Sequence, residues 1–307
     1  MEQSVGIGAP VIRGVITIIA TVFAMSLADA LVKYSSADLT LWQIWVLRSL
    51  LIIPILMVIA RKSILPTSLG WVVLRSLILA AMYLAIYAGI PLLDLSVIAA
   101  ALYTGPLFIV CLSAIILRER VVLRQWVAIM IGFAGVLVIV RPTTPSFSML
   151  TLLPVGAAFL YASAAVLTRA KCSKVPATTM AFWLNMTLFG LGSFASASIP
   201  HFSTSLQYPF LFGDWQPMDA GDWWLVVALA FLMIGVSIGF ALAYQSPRPQ
   251  IIATFDYAYL IFASFWGYVF FTEVPDFWTI AGMFLIAVAG LIVLSAQLRD
   301  ASKAPGA

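Results

Sequence analysis

Residues 95–117 read LSVIAAALYTGPLFIVCLSAIIL, and no charged side chain interrupts this stretch. An α-helix needs about 20 apolar residues to cross the hydrocarbon core of a bilayer, which is about 30 Å thick. The stretch is therefore long enough to cross a membrane as one helix. It ends at Arg118-Glu119-Arg120, whose charges are expected to lie at the water interface. This segment makes an integral membrane protein the leading interpretation.

The same pattern recurs along the whole chain. Of 307 residues, 63% are hydrophobic and 9% are charged, and the mean hydropathy is +1.09. A soluble domain is about 25% charged, so the bilayer is the expected solvent. The sequence predicts ten membrane-spanning helices between charged or Pro/Gly-rich breaks. They are residues 12–32, 41–60, 70–90, 95–117 and 125–140 in the first half, and 150–168, 178–199, 223–245, 251–271 and 277–296 in the second.

The basic residues predict the orientation, because Lys and Arg accumulate in short cytoplasmic loops. If the N-terminus is cytoplasmic, the outer side receives Lys33 and Arg141, while Arg48 falls inside the bilayer. We therefore expect both termini in the cytoplasm and the protein in the cell inner (plasma) membrane. The residues assigned to the inner side are Arg13, Arg61, Lys62, Arg75, Arg118, Arg120, Arg124, Arg169, Lys171, Lys174, Arg248, Arg299 and Lys303.

Composition and motifs also indicate what the protein does not use. Cys111 lies in an apolar run and Cys172 in a basic loop, which predicts neither a disulfide nor a metal site. The sequence contains no H-E-x-x-H and no phosphate-binding G-x-x-x-x-G-K-[ST] motif, so direct use of ATP is not indicated. The net charge of +4 follows from topology and does not indicate nucleic acid. We expect no cofactor.

One enzymatic pattern needs an explanation. Gly235-Val236-Ser237-Ile238-Gly239 matches the G-x-S-x-G motif of serine nucleophiles. A protease would need a general base near Ser237, but His201 lies in the predicted outer loop before that helix. Small residues also allow helices to pack closely in lipid. The sequence therefore predicts no enzyme, with an intramembrane serine protease as the alternative.

Matching residues in the two halves suggest an internal repeat. With five predicted helices in each half, homologous halves would have opposite orientations in the membrane. A shift of 154 positions pairs Tyr103 with Tyr257, and Glu119 with Glu273. Chance matches between apolar segments are common, so these polar pairs carry the evidence.

The residues around these pairs also resemble a known family. In the first half they are Tyr103-Thr104-Gly105-Pro106-Leu107, Leu117-Arg118-Glu119-Arg120, Gln125-Trp126, Gly132, Gly135 and Arg141-Pro142. In the second half they are Thr272-Glu273, Gly282 and Gly290. Together with Arg48 in the second helix, this pattern resembles the EamA branch of the drug/metabolite transporter superfamily. Among prokaryotic members, it is similar to aromatic amino acid exporters.

The resemblance implies an all-α integral membrane protein of ten transmembrane helices. Two inverted five-helix repeats, residues 12–141 and 150–296, would surround a central cavity. The implied activity is export of amino acids, metabolites or drugs. Two positions depart from the family pattern, because Leu260 replaces an expected proline and Pro275 follows Glu273. The expected partners are a small-molecule substrate and membrane lipids, with no obligatory protein partner.

Charges within the predicted helices are candidate functional residues, because a charge at the centre of a membrane helix costs about 2.5 to 3.5 kcal/mol. Asp29, Arg48 and Asp256 are the important ones. Asp29 and Asp256 could face the cavity and bind a cationic group or a coupling proton. Alternatively, one of them pairs with Arg48 as a structural lock.

Aromatic side chains supply the candidate substrate-binding residues, because rings stack on planar solutes and hold cations over their faces. Tyr103 and Tyr257 are preferred, since they occupy matching positions in the two halves. Packing or interfacial anchoring is the alternative for each of them. The full candidate set is Tyr83, Tyr87, Tyr103, Trp183, Tyr244 and Tyr257.

Pro106 is the candidate hinge, because a proline inside a helix removes one hydrogen bond and permits a bend. A fixed kink is the alternative. Glu119 and Glu273 end helices and are expected to form hydrogen bonds at helix ends. These features predict a secondary transporter that exports amino acids, especially aromatic ones, by alternating access. The alternative within this class is a carrier or exchanger of other metabolites, drugs or nucleotide sugars.

Overall fold

The computed structural model describes residues 9–61, 63–118, 123–140, 149–202, 208–244, 255 and 257–303. All regular secondary structure in these ranges is helical. The helices are α1 (Ala9–Ser35), α2 (Leu41–Ala60), α3 (Leu69–Gly89), α4 (Leu95–Leu102), α5 (Gly105–Ile116), α6 (Leu123–Val140), α7 (Leu153–Lys171), α8 (Ala177–Phe202), α9 (Pro209–Phe212), α10 (Ala220–Tyr244), α11 (Ala258–Phe271) and α12 (Phe277–Lys303).

Six helical segments of the described chain are long and apolar enough to cross a membrane. They are Ile12–Ser35, Leu41–Ala60, Leu69–Gly89, Leu95–Ile116, Met149–Lys171 and Ala220–Phe240. Three shorter apolar segments follow the same pattern, namely Trp126–Ile139, Ala258–Phe271 and Phe277–Ile292. Large apolar side chains such as Val58, Met130 and Phe231 are exposed on the outside of the bundle. An apolar exterior of this kind fits lipid, so the protein is a multi-pass membrane protein.

Most helices of the first half pack against helices of the second half. α1 contacts α10 and α11, α2 contacts α8 and α10, and α3 contacts α7 and α8. α4 contacts α11 and α7, α5 contacts α7, and α6 contacts α12. The two halves are therefore interleaved around a shared interior.

Two clusters of buried side chains form this interior. The first includes Trp45 of α2 and Tyr87 of α3, together with residues of α1, α7, α8 and α10. The second includes Ala99 of α4, Tyr259 of α11 and Ile286 of α12. α1 contributes to both clusters, so polar residues on α1 lie where the two clusters meet.

The crossing of α6 and α12 is unusually close. A Cβ atom added to Gly282 would lie 2.7 Å from the carbonyl oxygen of Gly135, and one added to Gly135 would lie 2.9 Å from the carbonyl oxygen of Gly282. Such distances are too short for real Cβ atoms, so only glycine lets the two backbones touch here. Both glycines belong to the motif residues noted in the sequence.

The predicted helix over residues 95–117 is interrupted, and this corrects the expectation of one continuous helix. α4 ends at Leu102, and α5 begins at Gly105 after a turn at Tyr103 and Thr104. The Thr104 hydroxyl donates to the carbonyl oxygen of Ala101 at 2.6 Å. Pro106 lies in the first turn of α5, where a missing N–H costs no helical hydrogen bond. Pro106 therefore follows directly after the turn, and Leu95–Ile116 as a whole remains one apolar segment long enough to cross a membrane.

Hydrogen bonds attach the described part of the connection between α8 and α10 to the start of α2 and the end of α3. Trp42 Nε1 donates to the carbonyl oxygen of Leu211 at 2.7 Å. Gln43 Nε2 donates to the carbonyl oxygen of Gln216 at 2.9 Å, and the Gln216 N–H donates back to Gln43 Oε1 at 3.1 Å. The Tyr208 hydroxyl donates to the carbonyl oxygen of Ala88 at 3.0 Å. These bonds cover one end of the bundle.

Candidate functional site

Asp29 lies in the interior of the bundle, where its side chain is held by a tyrosine. The residue is 9% exposed, and its neighbours Ala28 and Ala30 belong to the first buried cluster. The Tyr259 hydroxyl donates to Asp29 Oδ2 at 2.6 Å, and Tyr259 is 3% exposed. A hydrogen bond to a charged acceptor is worth about 1.5 to 3 kcal/mol. This bond joins α1 to α11 at the boundary of the two clusters.

Arg48 is buried close to Asp29 without forming an ion pair with it. The residue is 2% exposed, and its Nε and Nη1 atoms have no hydrogen-bond partner among the described residues. Leu47, the residue before Arg48, packs against the first buried cluster, which also contains Tyr87 and the two neighbours of Asp29, Ala28 and Ala30. Asp29 is thus fixed by Tyr259, while the guanidinium of Arg48 keeps unused donors.

Tyrosine rings connect the α4–α5 break to this charged cluster. The rings of Tyr103 and Tyr257 are 5.0 Å apart between centroids, and those of Tyr103 and Tyr259 are 5.6 Å apart. Tyr83 and Tyr87 stack on each other with centroids 5.8 Å apart and an angle of 21° between their planes. The two tyrosines that occupy matching positions in the sequence therefore touch in the structure.

The position of Tyr257 depends on a glycine in α12. A Cβ atom added to Gly290 would lie within 2.9 Å of three atoms of the Tyr257 side chain. Any other residue at position 290 would therefore displace the ring. The conformation of Tyr257, and with it the contact with Tyr103, requires glycine at this site.

The remaining predicted site residues lie elsewhere or outside the described parts. Trp183 Nε1 donates to the carbonyl oxygen of Ile64 at 2.7 Å, and Trp183 packs beside the small buried cluster around Ile52 and Phe182. Asp256 and the side chains of Tyr244 and Pro106 fall outside the described residues. The structure brings Tyr103 and Tyr257 together and connects them to Asp29 through Tyr259. Tyr83 and Tyr87 lie in the buried cluster against which Leu47, the residue before Arg48, packs.

Sequence reasoning missed Tyr259, which bonds Asp29. Its only signal is a second tyrosine two residues after Tyr257 at the start of a helix. Other buried side-chain atoms without a hydrogen-bond partner in the described residues are Trp45 Nε1, Ser49 Oγ, Tyr87 Oη, Ser96 Oγ, Ser113 Oγ, Ser196 Oγ and Trp266 Nε1. Trp45 and Ser49 are one helical turn apart on α2 and flank Arg48 along the chain.

A second ionic site joins the end of α1 to the end of α11. Lys33 forms an ion pair with Glu273, and their side chains are 10% and 12% exposed. Lys33 Nζ also donates to the carbonyl oxygen of Leu93 at 2.6 Å and lies 4.9 Å from the centre of the Phe271 ring. Glu273 Oε2 accepts the N–H of Leu95 at 2.9 Å. The expected helix-end hydrogen bonding of Glu273 is confirmed, and the capped end is the start of α4.

Two pockets of the described structure are lined by residues other than Asp29 and Arg48. One has a volume of about 460 Å³ and the other about 260 Å³. The larger is lined by Leu47, Trp215, Gln216, Pro217, Met218 and Trp223. Its wall includes Leu47, the residue before Arg48, so it lies between α2 and the connection from α8 to α10. Asp29 and Arg48 themselves are buried, with exposed fractions of 9% and 2%.

Ser237 is in a position that does not suit a nucleophile. Its hydroxyl donates to the carbonyl oxygen of Met233 in the same helix at 2.8 Å, and the side chain is exposed. A Cβ atom added to Gly239 would lie 2.1 Å from Thr21 Oγ1. Within this motif, Gly239 therefore serves the close approach of α10 and α1, whereas nothing lies within 4 Å of a Cβ atom added to Gly235.

Comparisons with known proteins agree with this geometry. The model of the EamA-like transporter family matches residues 12–141. A pseudopaline exporter of Pseudomonas aeruginosa is 27% identical over 285 residues, which cover 90% of this chain and 94% of the exporter. An S-adenosylmethionine uptake transporter of Rickettsia prowazekii is 25% identical over 301 residues, with 95% of each chain covered.

Two further comparisons cover sequence and fold. A riboflavin transporter of Vibrio cholerae is 31% identical over 193 residues, or 62% of this chain and 60% of that protein. A crystal structure with 16% sequence identity superposes with a TM-score of 0.62 and covers 94% of this chain and 97% of the other. The chain therefore carries an EamA domain of the drug/metabolite transporter superfamily over residues 12–141, and it is a membrane transporter of that type.

Proposed function

We propose that this protein is a secondary transporter that exports amino acids, in particular aromatic ones, by alternating access. The observation that carries the proposal is the enclosed cluster in which Tyr259 holds Asp29 beside Tyr103 and Tyr257. A carboxylate in the membrane interior can bind the amine of a solute, while the neighbouring rings can stack on its side chain. Such a site suits a small, partly aromatic cation or zwitterion.

The helix contacts support two inverted five-helix repeats, residues 12–141 and 150–296. An inverted repeat would exchange α1 with α7, α2 with α8, α3 with α10, α4–α5 with α11, and α6 with α12. Under this exchange, the contact of α1 with α10 becomes the contact of α7 with α3, which the structure also has. The contacts of α2 with α8, α4 with α11, and α6 with α12 are unchanged. Arg118 and Thr272, which are 154 positions apart, share the same left-handed backbone with φ of 55°. In this arrangement, the cluster lies in a central cavity that opens to one side at a time.

The orientation of the protein follows from its basic residues. We infer that both termini are cytoplasmic and that the protein lies in the cell inner membrane, because cytoplasmic loops collect Lys and Arg. The ion pair of Lys33 and Glu273, and the acidic connection before α10, then lie at the outer side. This connection carries Asp214 and Asp219, and Asp222 follows in the first turn of α10.

The relatives inform direction and substrate in different ways. One is named an exporter and another an uptake transporter, and the substrates in their names differ. The pseudopaline exporter matches over 90% of this chain, which supports export. Transport of nucleotide sugars would require several cations in the cavity. The described cluster around Asp29 contains one, Arg48, so this alternative is less well supported.

Proton coupling is part of the proposal. A carboxylate inside the membrane can link solute binding to protonation. Asp29 is held by Tyr259 and faces the charge of Arg48 and the hydroxyls of Tyr83 and Tyr87. Asp256 is the second candidate from the sequence. Retention of full pH-dependent transport in Asp29→Asn or Asp256→Asn would remove that residue from the role.

The experiment is uptake into proteoliposomes that contain the purified protein. Radiolabelled Phe, Tyr, Trp, Thr and Met are supplied, and protein-free vesicles give the background. We expect saturable uptake of at least one aromatic amino acid and its loss in Asp29→Asn. Ser237→Ala is the matched control, because that hydroxyl bonds only within its own helix, and its uptake should equal wild type. Absence of saturable uptake for all five amino acids would contradict the proposal.

A further inference from the structure

Arg48 is the one buried guanidinium near Asp29 in the described structure that retains unused hydrogen-bond donors. It is 2% exposed, and both Nε and Nη1 lack a partner among the described residues. A buried charged donor that is left unsatisfied costs more free energy than a neutral one. An arginine in this state needs an acceptor that the described protein does not supply.

Another cation near the cluster shows what a satisfied arginine looks like in this chain. Arg75 of α3 also acts on Tyr83, but its Nε donates to Thr168 Oγ1 at 2.7 Å. Asp29 does not supply the missing acceptor in the described structure, because no ion pair between the two residues forms there and Asp29 Oδ2 accepts from Tyr259 instead. The open donors of Arg48 are therefore available to a solute.

The chemistry of these donors selects a class of ligand. Nε and a terminal nitrogen of arginine form a planar fork that matches the two oxygens of a carboxylate. The hydroxyl of Tyr87 is 1% exposed, and Tyr87 belongs to the buried cluster against which Leu47, the residue before Arg48, packs. This hydroxyl can donate a hydrogen bond as well. Asp29 lies between Ala28 and Ala30 of the same cluster, so a negative side chain is present in the same region. One anion and one cation side by side suit a zwitterion.

We propose that Arg48, assisted by Tyr87, is the carboxylate-binding subsite of this transporter, and that Asp29 binds the amine of the same zwitterionic solute. The inference rests on the proposed transport function. It restricts the substrates to solutes with a free carboxylate close to an amine. Amides, esters and decarboxylated amines of the same solutes are excluded from tight binding.

The test is equilibrium binding to the purified full-length protein in lipid nanodiscs. The probes are the twenty standard L-amino acids, each paired with its carboxamide, which keeps the amine and side chain and removes the negative charge. Ligands are first found by the shift in thermal unfolding, and the affinities of those found are then measured by titration calorimetry. Inorganic phosphate is included to distinguish a carboxylate site from a general anion site.

In wild type, we expect at least one acid to bind roughly tenfold or more tightly than its amide, as expected for one charge-assisted hydrogen bond. In Arg48→Gln, the acid should bind only as well as the amide, and the affinity of the amide should change by less than about twofold. Arg75→Gln is the matched control and should keep the preference for the acid. Tyr87→Phe should lose part of it.

Several results would overturn the inference. These are equal binding of acid and amide by wild type, a preference that survives in Arg48→Gln, binding of phosphate in place of any acid, and no binding of any acid. If Arg48→Gln does not fold, Arg48→Lys keeps the charge without the planar fork. The acid should then bind roughly tenfold more weakly, and unchanged affinity would end the proposal.

The failure of this inference differs from the failure of the proposed function. If the acid is bound through Arg48 but no uptake into liposomes occurs, the carboxylate subsite is supported and the transport of amino acids is contradicted. If uptake is saturable but acid and amide bind with equal affinity, transport is supported and the carboxylate subsite is contradicted.

Discussion

Lys33 and Arg48 are both buried cations on membrane helices, and their surroundings differ. Lys33 has a carboxylate, a backbone carbonyl and an aromatic ring around its ammonium group. Arg48 has Asp29 nearby, but two of its nitrogens contact no acceptor in the described structure. The cost of burying the Lys33 charge is thus offset by contacts within the protein. The cost of burying the Arg48 charge is not offset in this way, and a bound solute would offset it. The first arrangement is expected of a structural contact and the second of a binding site.

The largest effect should follow from breaking the Lys33 site. Glu273→Gln keeps the size of the side chain but leaves Lys33 without its counter-charge. We expect the free energy of unfolding to fall by about 3 to 5 kcal/mol, the usual cost of stranding a buried charge. Unfolding in mixed micelles, followed by tryptophan fluorescence, measures this loss.

A double variant supplies the control for the Lys33 site. Lys33→Met should be destabilised in the same way, and Lys33→Met with Glu273→Leu should recover most of the loss, because no charge remains buried. If Glu273→Gln were as stable as wild type, the structural assignment of this pair would be wrong.

The same kind of change at Arg48 should have the opposite effect on stability. Arg48→Met removes a buried charge whose donors are unsatisfied, so we expect the free energy of unfolding to stay the same or to rise by about 1 kcal/mol. Amino acid uptake should nevertheless fall at least tenfold, since one charge-assisted bond to the solute is lost. The two measurements are made on one preparation. A large loss of stability would place Arg48 with Lys33 as a structural residue.

A smaller effect is expected from Tyr259→Phe, which removes the hydroxyl that holds Asp29. The lost bond is worth about 1.5 to 3 kcal/mol, so the KM for uptake should rise roughly tenfold. Tyr208→Phe is the matched control, because it removes a hydroxyl of the connection between α8 and α10 that donates to the backbone carbonyl oxygen of Ala88 in α3. Its KM should not change, and an equal rise in both variants would contradict the role given to Tyr259.

The smallest of these effects concerns packing away from both cations. In Gly282→Ala, the new methyl group meets the carbonyl oxygen of Gly135, and we expect a loss of about 1 to 3 kcal/mol in the free energy of unfolding. Gly190→Ala is the control, since nothing lies within 4 Å of its added Cβ atom, and it should gain up to about 1 kcal/mol. Equal effects on unfolding would show that the α6–α12 crossing is not tightly packed.

Much of the helical layout was predictable from the sequence, because apolar runs and charged breaks report directly on membrane crossing. The run at 41–60, for example, coincides with α2. The break at Tyr103 was not predicted, since Pro106 was expected to bend a continuous helix. A proline permits both outcomes, and the side chains that pack around the turn determine which one occurs.

The candidate site was predictable where two independent signals met. Tyr103 and Tyr257 were preferred for their matching positions, and the structure brings their rings together. Tyr259 was missed because the sequence does not show which face of α11 meets α1. The same uncertainty applies to Trp183. Its indole donates to the backbone carbonyl oxygen of Ile64, and the residue packs beside the small cluster around Ile52 and Phe182, not beside the charged cluster.

The contact between Gly135 and Gly282 has a mechanical consequence. Two helices whose backbones touch cannot slide past each other without first separating, and separation would open a void in the bundle. We therefore expect the α6–α12 contact to keep its geometry through a transport cycle. The helices around Asp29 and Arg48 would then rotate relative to this fixed pair. A crosslink between α6 and α12 should therefore leave transport intact.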